Sequence, residues 1–141
     1  MLKSIAIGEE LVITTRNKVG LLADIAKMLA NHGINIESAL GYEAGKTARL
    51  MLVTSANLTI LGELKKKKYK SVKETEVIMV ELENRPGALK VVTTELKKAR
   101  IDIKYLYVTA PSMTAGGRMV LQTSNNEKAM ALLSKYVRSD G

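Results

Sequence analysis

Hydrophobic and polar residues follow one succession of patterns along the first half of the chain and repeat it along the second. Over 11–15 and again over 78–82, apolar residues alternate with more polar ones, which predicts a half-buried strand. An Asn-x-x-Gly turn follows, and then apolar residues recur at the spacing of one helical face. The first copy of this stripe is Leu22, Ile25 and Leu29, and the second is Leu89, Val92 and Leu96. The pattern therefore predicts two copies of one unit.

A shift of 67 residues superimposes the second half of the sequence on the first. The matched identities are Asn17 with Asn84, Gly20 with Gly87, Leu22 with Leu89, Leu29 with Leu96, Ile34 with Ile101 and Ile36 with Ile103. Farther along, the shift becomes 69, so the second copy contains two extra residues in the Gly-, Pro- and Ser-containing stretch 109–117. Insertions belong in loops, so we expect a hairpin connection there.

The remaining segments complete the order of elements. Gly33 can end the first helix in a left-handed conformation, and a second strand begins at Ile34. A third strand (48–54), a helix (57–66) and a fourth strand (69–75) follow in the first copy. In the second copy a third strand (118–123) precedes a helix with a Ser124-x-x-Glu127 capping box. The order β-α-β-β-α-β predicts an α+β fold of two tandem ferredoxin-like units, each an antiparallel sheet with helices on one face.

The predicted units are residues 1–75 and 76–141. After the last predicted helix only 137–141 remain, which is too short for the fourth strand of the second unit. The first unit, in contrast, has a spare apolar stretch at 4–7. We therefore expect residues 1–8 to pair with the second unit and supply its missing edge strand.

The composition excludes several kinds of catalytic or metal site. Cysteine is absent and His32 is the one histidine, which argues against thiolate metal sites and His-based triads. The chain contains neither a P-loop nor a Gly-x-Gly-x-x-Gly motif. We therefore expect no enzyme activity, no metal and no cofactor. No stretch is apolar enough for a membrane span or a signal peptide, so we expect no membrane association and a cytoplasmic location.

Basic residues outnumber acidic ones by 22 to 14, and the densest cluster is the run Lys65–Lys70. Such a run suits the negative end of a helix dipole, although it could also dock an acidic partner. A basic chain with this order of elements could bind RNA, as ferredoxin-like modules with stacking aromatics do. Phe and Trp are absent, and both predicted third strands lack aromatic residues, so nucleic-acid binding is disfavoured.

The turn between the first strand and the first helix of each copy is the candidate site. Gly20 and Gly87 lack a Cβ, so a ligand could approach the unpaired amides at the start of the helix. These amides and the helix dipole favour a small anion such as a carboxylate, and Asn17 or Asn84 could bind a polar ligand group. The alternative is purely structural, with Asn capping the turn and Gly allowing the helix to pack closely on the strand.

The Asn-x-x-Gly-x-Leu turn, the spaced Leu/Ile helix and the segment Gly33–Ser38 resemble the ACT domain, especially the ACT unit of the small regulatory subunit of acetohydroxyacid synthase. The segment Glu83–Leu89 also resembles an ACT turn. The resemblance implies that ligands bind where paired units meet, through the turn of one unit and the start of the second strand. The implied ligand-binding residues are Asn17, Val19, Gly20, Leu21, Asn35 and Ile36, together with Asn84, Pro86, Gly87, Ala88, Asp102 and Ile103.

The resemblance implies a regulatory module that binds a small molecule, most often an amino acid. Because the chain has no room for an attached enzyme, we expect a free-standing allosteric sensor that acts on a partner enzyme. Exposed sheet edges favour further pairing, so we expect a homodimer. Two alternatives stay open: a structural interaction module without a ligand, and a basic nucleic-acid-binding protein.

Overall fold

The computed structural model describes residues 1–109 and 116–138. The elements follow the predicted order: β1 (Leu2–Arg16), α1 (Leu21–Asn31), β2 (Ile36–Ala44), β3 (Thr47–Thr54), α2 (Asn57–Lys65), β4 (Ser71–Leu82), α3 (Ala88–Lys98), β5 (Ile103–Thr109), β6 (Gly117–Thr123), α4 (Asn126–Leu133) and a 3-10 turn (Ser134–Tyr136). The predicted α+β, ferredoxin-like fold is confirmed. Most of the loop expected to hold two extra residues (110–115) lies outside the described residues.

The chain divides into two compact units, one formed by Glu9–Thr75 and the other by Met1–Gly8 with Glu76–Gly141. We call them the first and the second unit. Strands β1 and β4 each contribute residues to both units. Each of these long strands therefore joins two segments that the sequence pattern predicts as separate strands.

In the first unit, β3 pairs antiparallel with both β1 and β2, and β4 borders β1. Helices α1 and α2 pack against one face of this sheet, because their apolar residues share a single cluster with those of β1 and β3. The buried members are Leu11, Ile13, Leu21, Ile25, Leu29, Ile34, Ala48, Leu50, Leu52, Ile60 and Leu64. This arrangement places the end of β1 and the start of α1 beside the β2–β3 hairpin.

In the second unit, β6 pairs antiparallel with β4 and β5. The first residues of the chain complete the unit: the Glu83 N–H donates to the Met1 carbonyl at 3.0 Å, and Leu2 forms a parallel bridge with Val137. Leu2 is fully buried in the apolar cluster of this unit, together with residues of β4, α3, β6 and α4. The N-terminal segment therefore contributes both a strand and a core side chain.

The buried stripe of each first helix begins one residue earlier than predicted. Leu22 and Leu89 are 47% and 39% exposed, whereas Leu21 and Ala88 are buried. Both helices begin directly after a glycine in the left-handed conformation, and this turn aims the first helical residue at the sheet. The spacing therefore predicted the helices and most of each stripe, but not the residue at which the stripe starts.

Strand β5 contains a bulge between Ile103 and Tyr105, and β2 contains one at the matching place. Simple alternation predicts that Ile103 and both tyrosines of β5 share a face. The bulge shifts the alternation, so Leu106 instead packs on the core with Ile103. Tyr105 and Tyr107 are therefore not on the face that alternation assigns to them.

Each second helix begins with an asparagine that binds the preceding strand. The Asn57 Oδ1 accepts hydrogen bonds from the N–H and the hydroxyl of Thr54, at 3.0 and 2.6 Å. The Asn126 Oδ1 does the same for Thr123, at 3.0 and 2.8 Å. The predicted capping box is wrong, because α4 is capped by Asn125, which accepts from the Lys128 N–H.

Candidate functional site

The turn that precedes α1 has the open geometry needed to bind an anion. Gly20 has a φ of 85° and forms the N-cap, and no side chain caps the helix there. No atom outside its neighbours lies within 4 Å of where a Cβ on Gly20 would stand. Val19 is fully exposed, whereas Leu21 is buried and fixes the helix to the core. The first amides of α1 are therefore approachable from outside.

Asn17 connects this turn to the β2–β3 hairpin and does not cap the helix. Its backbone N–H donates to the Lys46 carbonyl at 2.8 Å. Its side-chain amide nitrogen donates to the Glu43 carboxylate in a short hydrogen bond. This bond fixes the orientation of the amide, so the Asn17 side-chain oxygen remains available as an acceptor.

A surface cavity of about 330 Å³ lies at this turn. It brings together three of the predicted residues, Asn17, Gly20 and Leu21, but not Val19. Its opposite wall comes from the sheet and was missed by the sequence analysis: Gly41, Tyr42, Ala48 and Leu50. The signal that could have found them is strand pairing, since Gly41 lies opposite Leu50 in the β2–β3 ladder.

Asn35 and Ile36 lie at the other end of the same unit. The Asn35 N–H donates to the Ser55 hydroxyl at 3.0 Å, and Ile36 packs against the core and pairs with Thr54. The turn, in contrast, follows Arg16, which pairs with Thr47. Thr47 and Thr54 are the two ends of β3, about 24 Å apart at the rise of a β-strand. The first unit alone therefore does not bring these two groups of predicted residues together.

The corresponding turn of the second unit has the same backbone but different surroundings. Gly87 is the N-cap of α3 with a φ of 88°, and Ala88 is buried. Asn84 and Pro86 are exposed. The Met1 methyl carbon lies 3.5 Å from where a Gly87 Cβ would stand. The Met1 side chain therefore covers part of the approach to this turn.

Glu83 lies beside this second turn and forms ion pairs with three positively charged groups of the protein. Its carboxylate is 3.7 Å from the Met1 ammonium, 3.2 Å from Arg85 and 3.8 Å from Arg138. Burial acts to raise the pKa of Glu83, but these positive charges and the Arg85 hydrogen bond outweigh it, so the pKa lies below its ordinary value. Glu83 therefore stays ionised and neutralises positive charge near the turn.

Asp102 and Ile103 occupy the places in the second unit that Asn35 and Ile36 have in the first. The Asp102 N–H donates to the Ser124 hydroxyl at 3.0 Å, and Ile103 is half-buried and pairs with Thr123. The turn of this unit lies beyond Leu82, which pairs with Gly117 at the opposite end of β6. The second unit therefore repeats the separation seen in the first.

Within the described part of the chain, no group of three or more Asp, Glu or His side chains could hold a metal ion. No helix among residues 1–109 and 116–138 is long and apolar enough to cross a membrane.

Residues 10–66 match the family model of the ACT domain. A comparison with curated proteins finds no match. The chain is similar to the crystal structure of protein BT0572 from Bacteroides thetaiotaomicron, with 26% identity, a TM-score of 0.84, and coverage of 94% of this chain and 90% of that one. Residues 10–66 therefore belong to the ACT domain family.

Two further solved structures share the fold over both units. The regulatory subunit of aspartate kinase from Thermus thermophilus is 9% identical with a TM-score of 0.67, covering 98% of this chain and 100% of that one. The regulatory subunit of aspartate kinase from Thermus flavus is 13% identical with a TM-score of 0.60, covering 94% of each chain. These two similarities concern the fold alone.

Proposed function

We propose that this protein is a regulatory module that binds an amino acid and acts allosterically on a separate enzyme. The observation that carries the proposal is the open turn at Gly20, at the start of α1 in a segment that matches the ACT domain. Regulation of a partner enzyme is supported by analogy with the two aspartate kinase regulatory subunits that share the fold.

The groups around the turn suit both charges of an amino acid. Unpaired amides at the start of α1 and the helix dipole favour the ligand carboxylate. The Asn17 amide oxygen and the Glu43 carboxylate are acceptors for the ligand ammonium, and the hydrogen bond that the Asn17 amide nitrogen donates to Glu43 fixes both groups. Tyr42 and Leu50 line the cavity and would contact the ligand side chain.

We further propose that a homodimer completes the site. Among the strands that the structure describes, β2 has one neighbour, β3, and its other edge is free to pair. If the β2 strands of two copies paired antiparallel about a two-fold axis, opposite ends of the two sheets would lie side by side. The turn at Gly20 of one copy would then lie near Asn35 and Ile36 of the other copy.

We infer that the second unit is also an ACT unit, although the family model matches residues 10–66. Support comes from the repeated left-handed glycines at 20 and 87 and from the repeated bulges of β2 and β5. The Met1 side chain near Gly87 and the carboxylate of Asp102 distinguish the candidate site of the second unit from that of the first. A carboxylate at this position favours a ligand ammonium and disfavours an acidic ligand, so the two units should differ in affinity.

The proposal is tested by thermal unfolding of the full chain in the presence of each of the twenty amino acids. A ligand at 100 times its Kd stabilises the folded state by about 2.7 kcal/mol, so a true ligand gives a clear shift in Tm. The Gly20→Asp variant should lose most of the shift, because its carboxylate occupies the approach to the α1 amides.

Gly33→Asp is the matched control, because Gly33 also has a positive φ (68°) and open surroundings but lies at the other end of α1. Both variants suffer the same backbone strain, so a difference in ligand response reports on the site and not on folding. If no amino acid shifts the Tm, the ligand-binding proposal fails in favour of a structural interaction module. A salt-sensitive shift with oligonucleotides alone would instead indicate nucleic-acid binding.

A further inference from the structure

A second and larger cavity, of about 640 Å³, lies on the helical side of the first unit. Its walls are the end of β1, a polar stripe along α1, and the end of α2 with the segment that follows it. This volume is within the range of small-molecule sites in proteins, about 300–1,000 Å³. We call it the α1–α2 cavity.

Positive charge dominates the lining of the α1–α2 cavity. It contains Arg16, Lys18, Lys27, Lys67 and Lys68 against two carboxylates, Asp24 and Glu63. Both carboxylates already have partners: Asp24 is 3.5 Å from Lys18, and Glu63 is 3.3 Å from Lys66. In the described part of the chain, no ion pair reaches the other four cations. A bound anion would therefore relieve the repulsion between them.

The cavity also contains neutral groups that could fix the orientation of a ligand. The Asn31 side chain and the hydroxyl of Tyr69 are hydrogen-bonding groups, and Met28 offers an apolar contact. Burial, assisted by the nearby Asp24 carboxylate, raises the pKa of Tyr69, so its hydroxyl stays protonated and can donate to an anion.

The second unit shows that this fold does not need the cations. In the sequence overlay, Arg16 corresponds to Glu83, Lys27 to Thr94 and Lys67 to Tyr136. There, Glu83 is surrounded by cations, and the Tyr136 hydroxyl is hydrogen-bonded to Glu95. That hydrogen bond raises the pKa of Tyr136 and lowers that of Glu95. At these positions the second unit therefore has one carboxylate with cationic partners and two neutral side chains, where the described part of the first unit has cations without an ion-pair partner.

We propose that the α1–α2 cavity binds a small phosphorylated molecule. Lysines supply point charges and Arg16 a planar fork for phosphate oxygens. The cavity has room for more than a phosphate alone, and Met28 and Asn31 are available to contact the rest of the ligand. This site differs from the amino-acid site at Gly20, although Lys18 lines both cavities.

Pyrophosphate and inorganic phosphate are the probes, titrated calorimetrically into the full chain without amino acids at near-physiological salt. We expect saturable binding of pyrophosphate, weaker binding of phosphate, and a loss of about tenfold in affinity in Lys27→Gln and in Lys67→Gln. The control is Lys90→Gln, an exposed lysine on α3 of the second unit, which should bind like the parent. Lys18 is left unchanged because it lines both cavities.

Absence of saturable pyrophosphate binding would overturn the proposal, as would equal losses in all three variants, which would indicate a diffuse charge effect. A hexaglutamate peptide serves as a further probe. If it binds and depends on Lys27 while pyrophosphate does not bind, the cavity docks an acidic polypeptide instead. Because the titration contains no amino acid, its outcome is independent of the function proposed for the Gly20 turn.

Discussion

The left-handed residues that end the first helix of each unit differ in identity but not in geometry. Gly33 has a φ of 68° and Arg100 has one of 56°. In both units the next residue donates its N–H to a carbonyl in the last turn, Ile34 to Leu29 and Ile101 to Leu96, each at 2.9 Å. The backbone thus requires the same conformation at both places, and only one unit has a glycine there.

Replacing Arg100 with glycine should therefore stabilise the protein. An L-residue in this conformation is strained by roughly 1–2 kcal/mol, and the extra entropy of glycine in the unfolded chain offsets part of that. We expect a net gain of about 0.5–1 kcal/mol in the free energy of unfolding, measured with urea. Gly33→Arg is the reciprocal control and should lose a similar amount. Destabilisation by Arg100→Gly would show that the Arg100 side chain contributes more than the strain costs.

The Glu83 cluster predicts a dependence of stability on pH. Because its folded pKa lies below the ordinary value of 4.5, ionised Glu83 contributes stability that is fully present above that pH. The contribution is lost as the pH falls through the lower, folded pKa. We expect the free energy of unfolding to fall less steeply with acid below about pH 4.5 in Glu83→Gln than in the parent.

The measurement is urea unfolding of both proteins at several pH values between about 6 and 3. The Glu95 pKa is also lowered, chiefly by its hydrogen bond from Tyr136, so Glu95 contributes to the acid limb of both curves alike. The difference between the two curves isolates Glu83. A constant difference at all pH values would contradict the low pKa of Glu83.

Sequence reasoning was least reliable for the positions of single side chains. The helical spacing predicts that Leu22 and Leu89 are part of the core, but both are substantially exposed. Simple alternation along β5 assigned the wrong face to the residues after Ile103, because the strand contains a bulge that no residue type in the sequence indicates. In each case the error is a shift of one residue, because the backbone before a helix or at a bulge determines which side chain faces the core.

At the scale of elements, the asparagines that begin α2 and α4 are repeated structural features. Asn57 also donates to the Glu9 carbonyl at 2.8 Å, and Asn126 to the Glu76 carbonyl at 3.2 Å. Each asparagine thus links a helix start to two strands of its unit. Their separation of 69 residues matches the second shift of the sequence overlay.

Asn126→Ala should cost more stability than the neighbouring Asn125→Ala. Loss of the Asn126 side chain leaves the N–H and hydroxyl of Thr123, which is 4% exposed, without their acceptor. An unsatisfied buried donor costs about 1–3 kcal/mol. Asn125 accepts from the exposed N–H of Lys128, and water can take the place of the Asn125 oxygen there. We therefore expect Asn125→Ala to lower the free energy of unfolding by about 1 kcal/mol. Urea unfolding of both variants measures the difference, and equal or reversed costs would contradict this role for Asn126.

The turn half of the candidate site could be proposed from the sequence because the turn is local, and its binding role stays a prediction. Glycine and asparagine at fixed spacing between a strand and a helix indicate Asn17 and Gly20, and the resemblance to the ACT domain adds Leu21. The other wall, with Gly41 and Tyr42, depends on strand pairing and could not be read from local spacing. The four unpaired cations of the α1–α2 cavity likewise come from three separate segments of the chain, because Lys67 and Lys68 are adjacent and Arg16 and Lys27 lie elsewhere.

At the scale of the whole molecule, the packing of Leu2 in the core of the second unit predicts which unit a substitution at Leu2 destabilises. Leu2→Ala removes a fully buried side chain from the second unit and should cost about 2–5 kcal/mol. Hydrogen exchange should then rise in Glu76–Val137 more than in Glu9–Thr75. Leu11→Ala, in the core of the first unit, is the control and should show the reverse. Uniform increases in both variants would mean that the two units unfold as one.

The proposed homodimer predicts that two variants defective in ligand binding can complement each other. Gly20→Asp blocks the turn, and Asn35→Trp blocks the start of β2. Both are made in a Gly87→Asp background to remove the second turn. In a two-fold dimer, a mixed pair contains one site with both halves intact and one with both halves blocked.

After unfolding and refolding together, half of the dimers should be mixed, and each mixed dimer has one of its two sites intact. An equal mixture should therefore recover about a quarter of the amino-acid sites of the Gly87→Asp protein, counted by equilibrium dialysis with the ligand found in the thermal screen. Each variant refolded alone should recover none. A mixture that also recovers none would mean that the turn and the strand start do not share a ligand across two copies. If Asn35→Trp alone binds fully, the turn suffices without the second copy.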